Sequence, residues 1–262
     1  MLSLLKMDIR RMLKSKYFYI SVLTFTIIMG ICIRSQSGAQ VEYGFQAIQT
    51  EHEIGISNWI DFRLYMPLHI IYGFASKYIM LIFGSYMVTF VCSEYNSGYI
   101  KNSCMMYKNR NMIILNKVLV SFFLGIVVTV LSYVISTAFG FLFIEGFEWG
   151  DLGALISYMG IMLIQNVALF SLLTFVSTLT RNKTVGILLT FIVTTGLSMI
   201  VCNAVFDLLH ISDLSNYTIS QLYMSMPMYY DPVLSIRVLF GSIGFIVLYN
   251  VLSILVINHR DI

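Results

Sequence analysis

Long uncharged runs alternate with short polar breaks along the whole chain. The apolar runs fall at about 17–33, 70–92, 118–144, 152–180, 184–206 and 238–258, and Lys77 is the one charge inside them. Each run is close to, or longer than, the roughly 20 residues a helix needs to cross the oily part of a bilayer. Lipid offers backbone N–H and C=O groups no partners, so such runs must be helices, and an open sheet is excluded. The pattern predicts an all-α integral membrane protein with six transmembrane helices in a single domain over 1–262. The first run has a basic front and small residues at Ser35, Ser37 and Gly38, as a cleaved leader would. The long, patterned front argues instead for a retained span.

Residues 1–16 follow a different rhythm. Leu2, Leu5, Ile9, Met12 and Leu13 share one side of a helical wheel, and Arg10, Arg11 and Lys14 share the other. This period predicts an interfacial amphipathic helix along the inner leaflet, with its cations on anionic lipid. The plainer alternative is a set of topogenic charges ahead of the first span. Two outer segments also carry structure signals. Residues 34–69 should hold short helices, one around 57–64. Residues 207–237 contain MSMPMYYDP, which predicts a broken, partly re-entrant element.

Charge placement sets the expected orientation. With both termini in the cytoplasm, the inner segments hold 12 Lys and Arg against three acids, Asp8, Glu94 and Asp261. The outer segments hold Arg34, Arg63 and Arg237 against ten acids. Basic residues near span ends stay on the cytoplasmic side. Composition agrees with the membrane class: 58% of residues are hydrophobic and 11% charged, where soluble domains carry about 25% charged residues. The net charge of +3 is too small to imply nucleic acid. The four cysteines show no CxxC spacing, so neither a zinc site nor a disulfide framework is indicated.

Catalytic signatures are missing from the chain. There is no GxxxxGK[ST], HExxH or GxSxG, and His52, His69, His210 and His259 are far apart. No catalytic residue, cofactor or metal is therefore expected. Met224, Met226 and Met228 could be soft copper ligands, but methionine is also an ordinary packing residue. Lys77 can snorkel to the interface or contact a substrate. Gln165, Asn166 and Asn203 can bond neighbouring helices or line a translocation path. The threonines Thr190, Thr194 and Thr195 carry the same two readings.

The longest inner break is 93–117, SEYNSGYIKNSCMMYKNRNMIILNK. Glu94 to about Met106 can form a short helix, followed by a basic patch at Lys108–Arg110. Its pattern resembles the membrane subunits of ABC exporters of the ABC-2 type. In that family a Glu near the end of the second span and a Gly precede a short apolar–basic segment, and an Arg and a Lys come before the third span. Glu94, Gly98, Ile100, Lys101, Arg110 and Lys117 occupy those places. The amphipathic amino-terminal helix, the six spans and the Asn258–Ile262 tail fit the same layout. A proline common in the family's loop is replaced here by Tyr107–Lys108–Asn109.

The resemblance implies that 93–117 is a coupling loop seated in a separate ATP-binding subunit. It also implies a second permease subunit, identical or related, and the export of a peptide, drug or lipid-like substrate from the cytoplasm or inner leaflet across a bacterial plasma membrane. The alternative is a membrane scaffold or sensor that transports nothing.

Overall fold

A computed structural model describes residues 2–49, 76–100, 111–143, 152–209, 215–224 and 232–259. Every regular element among them is helical. Helix α1 (Leu2–Lys14) leads through a turn at Ser15 into α2 (Lys16–Gln49). Then come α3 (Ser76–Asn96), α4 (Asn111–Phe143), α5 (Leu152–Thr180), α6 (Lys183–Thr194), α7 (Leu197–Leu208), α8 (Ile219–Met224) and α9 (Pro232–His259). Five of the described helices are long and apolar enough to cross a membrane, and α6 with α7 makes a sixth if the bent pair is one span.

Packing sorts the spans into an inner and an outer set. Helices α3 and α5 are the most enclosed, while α2 and α9 leave most of their surface open. Helix α5 lies against α3, α4, α6 and α9. The main core joins α1 to α5 through Met12, Phe25, Met29, Phe83, Met87, Leu124 and Phe170. Phe25 and Phe83 meet edge to face at 5.7 Å between ring centroids, a favoured aromatic geometry. The open faces of α2 and α9 are apolar, with Ile20, Leu23, Ile27 and Ile31 on one and Phe240, Val247, Val251 and Leu255 on the other. These are surfaces suited to lipid tails.

Small residues let α3 and α6 approach closely, as they do where membrane helices pack. A side-chain carbon added at Gly186 would lie 2.5 Å from Val88 Cγ1. One added at Gly84 would lie 2.9 Å from Thr190 Cγ2 and 3.0 Å from Leu173 Cδ1. Each helix thus offers a glycine notch to a branched side chain of the other.

Three elements differ from the sequence expectation. Helix α2 runs on well past the end of its apolar stretch at Ile33 and reaches Gln49, because single serines and glycines at 35–38 do not stop a helix. Of the 93–117 break, residues 93–96 complete α3 and residues 111–117 begin α4. The run at 184–206 is not one straight span: α6 and α7 meet at 73°.

That bend has a local cause. The Thr195 N–H and hydroxyl both donate to the Phe191 carbonyl, and the Gly196 N–H donates to Val193. Gly196 adopts φ 77°, a left-handed conformation that glycine reaches without steric cost. The expected helix around 57–64, like Lys101, Cys104, Arg110, Met226 and Met228, lies outside the described residues.

Candidate functional site

Four charged side chains converge where α1, α3 and α4 meet. Asp8 is 1% exposed, Glu94 0% and Lys117 4%. Lys117 faces both oxygens of Glu94 and reaches Asp8 Oδ2 at 3.1 Å. Arg11 also donates to Glu94 Oε1 and lies 3.8 Å from Asp8 Oδ1. Asp8 also accepts from Tyr99 Oη at 2.9 Å and from Asn116 Nδ2 at 2.5 Å. The Arg11 guanidinium lies over Tyr99 at 4.1 Å and Phe90 at 4.8 Å.

Two acids and two bases cancel, which is the condition for burying charge: an unpaired ion loses its hydration with nothing in return. Each element supplies its residue for a local reason. Leu4, Asp8 and Met12 are spaced four apart on the inward stripe of α1, so the acid enters the bundle between two buried apolar anchors. The Tyr86 hydroxyl donates to the Met12 carbonyl at 2.9 Å and pins that stripe to α3. Glu94 sits in the last turn of α3. Residues 97 and 98 then turn the chain, with the Ser97 N–H donating to Ser93 and the Gly98 N–H to Tyr95. Gly98 has φ 70°, and among the described residues, its chain neighbours aside, no atom lies within 4 Å of where its side chain would start. Ile100 is buried just beyond.

The bonds therefore join both flanks of the segment 100–110. Glu94 and Tyr99 lie before it and Asn116 and Lys117 after it; Asp8 of α1 bonds both sides, and Arg11 bonds Glu94 on the first. Glu94 and Lys117, two of the positions singled out in the sequence, are thus brought into direct contact but are buried rather than displayed. Arg11 departs from its expected place. The wheel sets it beside Arg10 and Lys14, yet it turns inward to Glu94, whereas Lys6, Arg10 and Lys14 are exposed. The physical reason is that Glu94 needs a second cation once Lys117 is shared with Asp8. Asp8 and Asn116 were not among the expected site residues. The available signal was an acid at the four-residue spacing of Leu4 and Met12.

The same end of the bundle gathers other termini. Asn258 Nδ2 donates to Asn111 Oδ1 at 3.0 Å, joining the last turn of α9 to the first of α4. The α5–α6 turn places the Arg181 guanidinium over Tyr95 at 5.3 Å. Arg181 has φ 53°, a left-handed conformation that costs a side-chain-bearing residue about 1–2 kcal/mol. Asn182 caps α6 by accepting from the Thr184 N–H at 2.9 Å.

The expected path residues lie on three different helices. Lys77 falls in the first turn of α3. Gln165, near the middle of α5, is buried and donates Nε2 to the Leu222 carbonyl at 2.7 Å, holding α8 beside the midpoint of α5. Asn166 is buried, and its Nδ2 has no partner among the described residues. Asn203 lies on α7, half-buried. The hydroxyls of Thr190, Thr194 and Thr195 bond carbonyls of their own helix, the usual way a span satisfies a hydroxyl.

Among the described residues no group of three or more His, Cys, Asp or Glu could hold a metal. No protein-family model matches the chain, and no curated protein matches it.

Proposed function

We propose that this chain is the membrane-spanning subunit of an ATP-driven exporter, with both termini cytoplasmic in a bacterial plasma membrane. A separate subunit hydrolyses ATP and presses on the segment between α3 and α4. Two such membrane subunits move a peptide, drug or lipid-like molecule outward. The single observation that supports this reading is the ionic junction. It ties both flanks of that segment to each other and to α1, so a push on the segment reaches three helices together. The absence of a phosphate loop from the sequence fits a divided machine. The concentration of Lys and Arg at the junction's end supports the orientation.

The test is purification of the tagged chain from its native membrane. A co-purified polypeptide with a phosphate loop, together with ATP-dependent transport in proteoliposomes, is the expected result. Recovery of the chain without any ATPase would overturn the reading. Within such a complex, Gly98→Val should reduce transport about tenfold or more while ATPase binding persists. A β-branched residue is strained at φ 70°, so the turn after Glu94 must change course and misdirect the segment. Paired measurements of ATP turnover and transport check this. Unchanged transport would remove Gly98 from the coupling path.

A further inference from the structure

We infer that α8 fills a peptide-binding seat in the middle of the bundle, and that a carbonyl of a bound apolar peptide takes the place of the Leu222 carbonyl at the Gln165 amide. Identifying that peptide as the cargo rests on the exporter reading above. Helix α8 has only six residues, too few to hold its shape alone, so its surroundings fix it. Those surroundings come from α3, α5, α6, α7 and α9. Gln165 of α5 donates to the Leu222 carbonyl at 2.7 Å. The hydroxyls of Ser198 on α7 and Ser220 share a hydrogen bond at 2.7 Å. On α9, a side-chain carbon added at Gly241 would lie 2.5 Å from Leu222 Cδ1, so the glycine leaves a notch for that leucine. Tyr223 packs in one apolar core with Met80 of α3, Leu169 and Leu173 of α5 and Val193 of α6.

The chemistry of the seat selects what can replace α8. Gln165 lies near the midpoint of a span, and its amide loses the Leu222 carbonyl if α8 leaves. An unpaired amide in an apolar interior is costly, so the replacement must bring a carbonyl of its own. Helix α8 also fits imperfectly. Its Gln221 Oε1 is buried without a hydrogen-bond partner among the described residues, which makes α8 a replaceable occupant. Asn166 Nδ2, from the residue after Gln165, is likewise unpartnered and leaves α5 a spare donor. Gln165, Asn166, Ser198 and Ser220 carry no charge to pair with a lipid phosphate. Arg237, one turn before Gly241, is engaged over the Tyr217 ring at 5.5 Å. A peptide with a branched apolar residue followed by an aromatic one matches the notch and the core as Leu222 and Tyr223 do.

Photolabelling of the full-length chain in lipid nanodiscs tests the inference. The probe is the hexapeptide ISQLYM, the sequence of 219–224, with a photoreactive leucine in place of its own. The double variant Ser198→Cys, Ser220→Cys locks α8 in its seat when oxidised, because the two hydroxyls already touch. Reduced protein should take up label on α5 or α9 at least about tenfold better than oxidised protein, since the lock removes the binding-competent population. Single-cysteine controls should not respond to the oxidant. Leu222→Ala weakens the hold of α8 and leaves the lining of the seat intact, so labelling should rise at least about fivefold. Equal labelling of reduced and oxidised protein, or no gain with Leu222→Ala, would disprove the seat. The exporter reading would still stand wherever an ATPase co-purifies. A photoreactive phosphatidylglycerol that labels the seat where the peptide does not would disprove the peptide class. Correct peptide labelling in a chain that retains no ATPase would keep the seat and remove its cargo role.

Discussion

Lys117→Met should cost about 3–5 kcal/mol of stability, the usual penalty for removing one partner of a buried ion pair. Without the ammonium, Asp8 and Glu94 remain inside with only Arg11 between them, and one negative charge is uncompensated. Methionine fills much of the lysine's volume, so the loss reports charge rather than space. Thermal unfolding in lipid nanodiscs, followed by the reactivity of the fully buried Cys92 thiol, reads the change. Adding Glu94→Gln should restore more than half of it, because the remaining Asp8–Arg11 pair is neutral. If Lys117→Met unfolds within about 0.5 kcal/mol of the parent, as ordinary surface changes do, the junction is solvated and its two flanks are not locked.

The second large effect belongs to Gly186. Its notch receives Val88 with no room for even a methyl group, so Gly186→Leu must push α6 away from α3. Overpacking of this kind costs about 1–3 kcal/mol, and valine is too stiff at its first torsion to move aside. Under the exporter reading, export should fall at least about tenfold, because motion of α3 would no longer reach the bent α6–α7 pair. Val88→Ala on the same background should return both stability and transport. Restored stability without restored transport would separate the packing role from the proposed coupling role.

Much of the architecture was legible because membrane insertion leaves so few choices. A charge-free run of 23 to 29 residues, as at 152–180, has to be a helix. The amphipathic start was legible for a similar reason: a regular apolar period has one folded interpretation. What covers that apolar side was not legible, since protein and lipid look alike on a helical wheel. The inward turn of Arg11 depends on Glu94, 83 positions away, a distance no local pattern spans. Thr194–Thr195–Gly196 did carry a stop signal, two β-branched residues before a glycine, but the surrounding hydrophobicity outweighed it. Gln165 illustrates the remaining ambiguity. Only the position of the Leu222 carbonyl decides that its amide holds the α8 segment.

Helix α1 also has two electrostatic environments that answer differently to ionic strength. Lys6, Arg10 and Lys14 face outward, where dissolved ions shield charges beyond roughly 8 Å at physiological salt. Asp8 is sealed from solvent together with Glu94 and Lys117, and mobile ions cannot enter to shield them. Raising salt therefore loosens whatever the outer face of α1 touches while leaving its inner seat intact. The helix can release a charged surface on one side without letting go of the bundle on the other.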